Sequence, residues 1–131
     1  MTKQMDDLVM GDLNEQLVEQ IIIDTYNFKP NKTEPNHPMD FEYDDYYFEV
    51  KSRRNNYNQY PTTMIGYNKW RFAKTCGRKV VFIFSFLDGV YKYDYNELDN
   101  FENKIGGRCD RGRQEYKKYI YIPIEKLVRI D

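Results

Sequence analysis

Cysteine, histidine and long apolar runs are all scarce in this sequence of 131 residues, which has two cysteines and one histidine. Cys76 and Cys109 lie far apart and lack the paired spacing of a zinc site, so we interpret both as reduced thiols of an intracellular protein. No apolar run approaches the roughly 20 residues needed to span a membrane. The amino terminus also lacks the pattern of a signal peptide. We therefore expect an intracellular protein with no membrane partner.

Aromatic residues are abundant instead. They make up 17% of the chain, and 13 of them are tyrosines. A tyrosine ring buries a large apolar surface and keeps a polar tip, so a core can form even though aliphatic residues are few. The length suits one core and is short for two. We expect a single domain over residues 1–131.

The net charge of −1 hides an uneven distribution of charge along the chain. Residues 1–50 contain 3 basic and 12 acidic residues, whereas residues 51–118 contain 15 basic and 7 acidic residues. Acidic residues gathered around a metal ion beside a basic surface would suit a phosphodiester substrate. The alternative is that these blocks of sequence scatter over the folded surface and form no common face.

The stretch from His37 to Arg53 predicts a β-hairpin. Two runs rich in aromatic residues flank Asp44-Asp45, a pair compatible with a tight turn. Side chains alternate along a strand, so this turn determines which residues oppose one another. The predicted pairs are Tyr43 with Tyr46, Glu42 with Tyr47, and Asp40 with Glu49. Asp40, Glu42, Tyr47, Glu49 and Lys51 then share one face, and Met39, Phe41, Phe48 and Val50 share the apolar face.

This register places the carboxylates of Asp40 and Glu49 on directly opposed residues, whose Cβ atoms are roughly 5 Å apart. Like charges at that distance destabilise a plain hairpin, so a shared proton or a bound cation must compensate. Two carboxylates suit a hard divalent ion such as Mg²⁺, and Lys51 on the same face could hold a phosphate or a water molecule. The alternative is an ordinary solvated face of a surface hairpin.

These residues resemble a known signature. Pro38-Met39-Asp40, a short gap and then Glu49-Val50-Lys51 look like the P-D…(D/E)-x-K motif of the PD-(D/E)XK nuclease superfamily, which includes restriction endonucleases and phage-type Holliday junction resolvases. Met39 is a departure from the pattern, because it separates the proline from the aspartate. The resemblance implies a restriction endonuclease-like αβββαβ core over roughly residues 12–95, of class α/β (α+β), with a mixed central β-sheet flanked by helices.

The resemblance also implies roles for particular residues. Asp40 and Glu49 would hold Mg²⁺ or Mn²⁺, with the carbonyl of Val50 as a further ligand, and Lys51 would orient or activate water. Glu15 matches the acidic residue that often supplements the metal site from the first helix, although Glu19, one turn further on, competes for that role. His37 is a candidate for an extra ligand or a general base, and the alternative is an exposed loop histidine.

The remaining elements are predicted from periodicity and turn signals. We expect a helix over residues 12–26 capped by Asp12, a linker without regular structure over residues 27–38, and a second helix over residues 64–75. A buried strand over residues 79–87 and a turn at Asp88-Gly89 should follow. The last part predicts a short helix over residues 96–101, a flexible basic loop over residues 106–113, a strand over residues 119–123, and a short helix or strand over residues 124–130.

Basic side chains near the motif predict contacts to nucleic acid. Arg53 and Arg54 begin a polar loop after the second hairpin strand, and Lys69 and Arg71 lie on the second predicted helix. The expected function is metal-dependent endonucleolytic cleavage of DNA, with branched or flapped DNA as a candidate substrate. Two alternatives stay open, an RNA endonuclease with the same site and a non-catalytic nucleic-acid-binding protein. The expected location is the cytoplasm of a prokaryote or of an infected host cell, and a homodimer is compatible with the sequence.

Overall fold

The computed structural model describes residues 3–108 and 115–131, and the side chains of residues 13–106 and 117–131. This part of the chain forms two α-helices, nine strands and one short 3₁₀ helix at Ile124–Lys126. The helices are α1 (Lys3–Tyr26) and α2 (Tyr67–Thr75). The strands are β1 (Asn31–Lys32), β2 (Phe41–Tyr43), β3 (Tyr46–Ser52), β4 (Thr62–Gly66), β5 (Lys79–Phe86), β6 (Gly89–Asp94), β7 (Asn103–Arg108), β8 (Glu115–Pro123) and β9 (Val128–Arg129).

Six strands form the main sheet, in the order β1-β2-β3-β5-β6-β9. Strands β3 and β5 are parallel, and every other neighbouring pair is antiparallel. Parallel neighbours need a crossover connection, and here the crossover contains α2. The mixed central sheet flanked by helices is therefore confirmed. The last strand before α2, β4, belongs to a second sheet rather than to the main one.

The hairpin of β2 and β3 has the register that its sequence predicts. Glu42 pairs with Tyr47 and Tyr43 pairs with Tyr46, so Asp44 and Asp45 form a two-residue turn. Asp44 takes a positive φ of 50°, a conformation that aspartate tolerates better than most residues. The next hairpin, between β5 and β6, also forms, but its turn consists of Leu87 and Asp88 rather than Asp88 and Gly89, because Gly89 already pairs with Phe86.

The main sheet is buried on both faces, which explains the nearly continuous apolar run of β5. On one face, Val18 and Ile22 of α1 pack against Phe41 and Phe48. The opposite face carries a second cluster that contains Phe82, Phe84, Ile65, Ile120, Ile122 and Met39. The prediction that Met39 shares a face with Phe41 is wrong, because Met39 packs in the second cluster and Phe41 packs in the first. Met39 precedes β2, so the alternation of side chains along a strand does not apply to it.

A second sheet of three strands, in the order β4-β8-β7, contributes to that second cluster. Residues 62–66 are therefore a strand, and the predicted helix begins at Tyr67 rather than at residue 64. Thr62, Thr63 and Ile65 are β-branched and favour an extended chain. Ile65 pairs with Ile120 of β8, and both are buried.

Several other boundaries differ from the predictions. Helix α1 begins at Lys3, so Asp12 lies within it and does not cap it. The linker over residues 27–38 contains the short strand β1, which pairs with β2. Residues 96–101 form turns and not a helix. Strand β7 includes the first part of the predicted basic loop, while residues 109–113 of that loop lie outside the described residues.

The end of the chain contains both predicted kinds of element, because the 3₁₀ helix is followed by β9. In the described part of the chain, no helix is long and apolar enough to cross a membrane.

Candidate active site

The main chain of the hairpin holds Asp40 in place. Asp40 directly precedes β2, and its backbone N–H donates to the carbonyl of Phe48 at 2.9 Å. Its carboxylate Oδ2 accepts a hydrogen bond from the backbone N–H of Val50 at 2.8 Å. Both bonds tie Asp40 to β3, on either side of Glu49. The two acids of the motif are therefore neighbours by backbone geometry, as the predicted register requires.

Glu49 is a buried acid, and only 2% of the residue is exposed. Burial, together with a hydrogen bond and charge repulsion from Asp40, raises the pKa of the Glu49 carboxyl to about 8. Its Oε2 is buried and receives no hydrogen bond of suitable geometry from the described residues. A buried oxygen of this kind costs free energy unless a cation or a proton satisfies it.

Two lysines lie beside this oxygen. Lys69 Nζ is 3.0 Å and Lys51 Nζ is 3.8 Å from Glu49 Oε2. The Lys69 ammonium also donates a hydrogen bond to the carbonyl of Pro38. Both lysines lower the pKa of Glu49, but burial and Asp40 outweigh them, so the pKa stays raised. The pair of acids is thus only partly neutralised by the protein itself.

The position of Lys69 was not foreseen from the sequence. We predicted that it contacts phosphate from the surface of the second helix, but its side chain is mostly buried and lies against Glu49. One feature of the sequence could have indicated that Lys69 lies against the sheet. A helix that connects two parallel strands must pack on the sheet, so one of its faces is directed toward β3.

A cavity of about 300 Å³ opens beside Asp40 and is also lined by Glu15, Lys32 and His37. Glu15 forms an ion pair with Lys32 at 3.7 Å. Glu19, which competed with Glu15 for the role of additional metal ligand, is not among the residues that line this cavity. Glu15, and not Glu19, therefore lines this cavity together with Asp40.

His37 is half-buried in the turn before Asp40. Its Nδ1 accepts a hydrogen bond from the backbone N–H of Met39 at 3.0 Å. Its ring packs against Tyr47 and Phe72, with ring centroids 5.1 and 5.4 Å away. These contacts shape the turn that delivers Asp40, so His37 is not an exposed loop histidine.

Asn14 connects α1 to the end of the site strand, a link that sequence reasoning missed. Its amide nitrogen donates to the hydroxyl of Ser52, and its Oδ1 accepts a hydrogen bond from Ser85 Oγ at 2.8 Å. Ser52 and Ser85 are paired across β3 and β5. Asn14 thereby fixes the helix turn that carries Glu15 against the sheet.

The predicted nucleic-acid contacts lie in different environments. Arg53 is half-buried, and its guanidinium donates to Thr63 Oγ1 at 3.2 Å and to the carbonyl of Met64. Arg54 and Arg71 are exposed. Arg53 therefore links β3 to β4 within the protein, whereas Arg71 presents its side chain on the outside of α2.

The donor set fits a divalent ion of the Mg²⁺ type. Mg²⁺ is usually bound by one or two carboxylates together with water and substrate phosphate. Asp40 and Glu49 supply two carboxylates, and Oε2 of Glu49 has no hydrogen bond of suitable geometry from the described residues, although two lysine ammonium groups lie within 3.8 Å of it. In the described part of the chain, no group of three or more histidine, cysteine or acidic side chains lies close enough to form a complete metal cage. The residues thus fit an open site that is completed by other oxygen ligands.

Comparison with known proteins agrees with this arrangement. The model of a family described as "Phage putative PDDEXK endonuclease" matches residues 9–130 of the chain. No curated protein and no solved structure matches the chain. The matched residues include α2 and both hairpin strands, together with the acids and lysines described above. The chain belongs to this phage PD-(D/E)XK endonuclease family.

Proposed function

We propose that this protein is an endonuclease that depends on Mg²⁺ or Mn²⁺ and hydrolyses phosphodiester bonds in DNA. The observation that carries the proposal is the buried carboxylate of Glu49, which lies beside Asp40 and next to the ammonium groups of two lysines. A solvated face of a surface hairpin would not bury an acid in this way.

Asp40 and Glu49 would hold the metal ion, and the carbonyl of Val50 would be a further ligand. The hydrogen bond from the Val50 N–H to Asp40 keeps that carboxylate oriented before any ion arrives. When bound, the ion would stabilise the negative charge that develops on phosphate and lower the pKa of a coordinated water. Glu15, which lines the same cavity as Asp40, would supplement the site through a water molecule.

The two lysines would have different tasks. Lys51 is the more exposed of the two and lies further from Glu49, so its ammonium is available to the scissile phosphate or the attacking water. Lys69 is anchored to the carbonyl of Pro38 and to Glu49. It would hold the carboxylate in position and partly neutralise the acid pair while no metal is bound.

A metal-titrated cleavage assay on a panel of substrates tests this function. The panel would contain single-stranded, duplex, flapped and four-way DNA, with RNA of matched sequence. We expect DNA cleavage that requires Mg²⁺ or Mn²⁺, stops in EDTA and is abolished by Asp40→Asn. Asp45→Asn, in the exposed turn of the same hairpin, is the matched control and should cleave normally.

Each other outcome has a defined meaning. Undiminished cleavage by Asp40→Asn would refute the assigned site, and cleavage of RNA alone would refute the assigned substrate. If the wild-type protein binds these substrates but cleaves none of them at any metal concentration, the protein is a nucleic-acid-binding protein with a decayed site.

A further inference from the structure

The small sheet has one buried face and one outer face. Ile120 and Ile122 of β8 are buried in the second core cluster, together with Ile65 of β4. Residues that alternate with them along the strands must lie on the opposite face. On β8 these residues are Tyr119 and Tyr121.

The neighbouring strands complete this outer face. Met64 of β4 pairs with Tyr121 in register and is 41% exposed. Lys104 of β7 pairs with Tyr119. We call these four residues, Met64, Lys104, Tyr119 and Tyr121, the outer tyrosine face. It carries two rings side by side on one strand, with an apolar side chain on one flank and a cation on the other.

Both rings lie close to the surface of the sheet. Gly106, on the strand next to Tyr119, has no side chain, and an added Cβ would come within 3.0 Å of the Tyr119 ring. The ring of Tyr119 therefore rests across β7 because residue 106 is a glycine. Lys104 Nζ lies 5.3 Å from the centroid of the Tyr121 ring, a cation–π contact.

Positive charge surrounds these rings. Lys117 pairs with Gly106 and is exposed on the same side of the sheet. Lys104 forms an ion pair with Glu102 at 3.3 Å, and both of these side chains are more than half exposed. An exposed ion pair of this kind is worth little and can exchange for a phosphate.

The outer tyrosine face continues toward the active-site strand. A cavity of about 370 Å³ is lined by Met64 and Tyr121 and also by Tyr60 and Arg53. Arg53 follows β3, two residues after Lys51, and donates a hydrogen bond to the carbonyl of Met64. The end of β3 and the outer tyrosine face are thus joined through one arginine.

We infer that the outer tyrosine face binds an unpaired stretch of the substrate strand next to the cleavage site. Tyr119 and Tyr121 are half-buried on the outer face of the sheet. Rings so placed can stack on bases while neighbouring lysines contact the phosphates between them, which is how single strands are bound without regard to sequence. Paired bases keep their faces inside the duplex and cannot stack on these rings. The inference rests on the proposed function and adds to it a preference for substrates with a single-stranded segment.

Binding measurements in the absence of turnover test the inference. Fluorescence anisotropy would be recorded in EDTA, on the Asp40→Asn background, with a labelled single strand of about 12 nucleotides and with a duplex of the same sequence. Tyr121→Leu should weaken single-strand binding about tenfold, because stacking on a ring is lost, and should change duplex binding much less. Tyr121→Phe keeps the ring and should bind like the parent. Tyr43→Ala, an exposed tyrosine in the hairpin of the main sheet, is the control and should also bind like the parent.

Thermal unfolding would establish that each variant is folded. Equal binding of the single strand by the Leu and Phe variants would overturn the inference, and so would equal losses for single strand and duplex. The assay reports binding alone, so its result is separate from that of the cleavage assay. Cleavage that survives Asp40→Asn refutes the assigned site and leaves the outer tyrosine face untouched.

Discussion

Glu49 is the residue whose protonation couples the site to folding. Its raised pKa means that the folded protein retains a proton that the unfolded chain releases near its ordinary value of 4.5. A raised pKa of this kind adds stability that is fully present below pH 4.5 and is lost as the pH rises through about 8.

We therefore expect the free energy of unfolding, measured in EDTA, to fall between pH 5 and pH 8 by up to ~1.4 kcal/mol per pH unit. Urea unfolding at a series of pH values measures this slope. Glu49→Gln should remove most of the slope, whereas Glu42→Gln, which changes a partly exposed acid of the same hairpin, should keep it. Equal slopes for the wild type and Glu49→Gln would show that Glu49 is not the titrating group.

The roles of the two lysines beside Glu49 can be distinguished by the property that each substitution impairs. Lys51→Met removes the more exposed ammonium, and we expect cleavage to fall about a hundredfold or more while DNA binding in Ca²⁺ is retained. Single-turnover cleavage and binding, measured together, check this expectation. Equal losses in both would make Lys51 a phosphate anchor, and no loss in either would favour a binding protein without catalysis.

Lys69→Met should reduce stability as well as activity. Lys69 satisfies the carbonyl of Pro38 and lies 3.0 Å from the buried oxygen of Glu49, so its removal leaves the carbonyl without this donor and Glu49 without its nearer cation. We expect the free energy of unfolding to decrease by about 2 kcal/mol or more. Chemical unfolding of Lys69→Met and Lys51→Met, side by side, measures the difference. Equal stability of the two variants would contradict an anchoring role for Lys69.

At the scale of elements, Arg53 joins the two sheets. Its guanidinium donates to Thr63 and Met64 of β4 and lies over the ring of Phe84 at 5.6 Å. Burial lowers the pKa of Arg53, but an arginine stays protonated in a protein, so the charge must be satisfied by these contacts.

We expect Arg53→Met to lower the free energy of unfolding by about 2 kcal/mol, because hydrogen bonds from a charged group are lost in a half-buried place. Arg71→Met, on the exposed side of α2, is the matched control and should change stability by less than about 0.5 kcal/mol. Urea unfolding of both variants provides the comparison. Similar small effects would mean that Arg53 is not a structural link and is free for nucleic acid.

At the scale of the whole molecule, the basic part of the chain determines how binding responds to salt. The excess of basic residues over residues 51–118 coexists with a net charge of −1 for the protein. If five phosphates are neutralised, the plot of log affinity against log salt should have a slope of about −4 to −5 on duplex DNA. Titrations at several salt concentrations measure it, and a flat response would show that the basic residues form no common surface.

The sequence alone determined the hairpin, its register and the buried strand β5. These features depend on neighbours in the chain, because a two-residue turn at Asp44 and side-chain alternation decide which residues face each other. The nearness of Asp40 and Glu49 follows from the same local rules. The motif that resembles the nuclease signature is therefore visible in a single short stretch of the sequence.

Only the tertiary structure decided which distant groups complete the site. Lys69 reaches Glu49 because α2 crosses back over the sheet, and Asn14 meets Ser85, 71 positions away in the chain, at the end of the parallel strands. Residues 62–66 became a strand because β8, far along the chain, offered a partner for it. Local propensity is weak compared with such packing, so these contacts could not be derived from the sequence pattern.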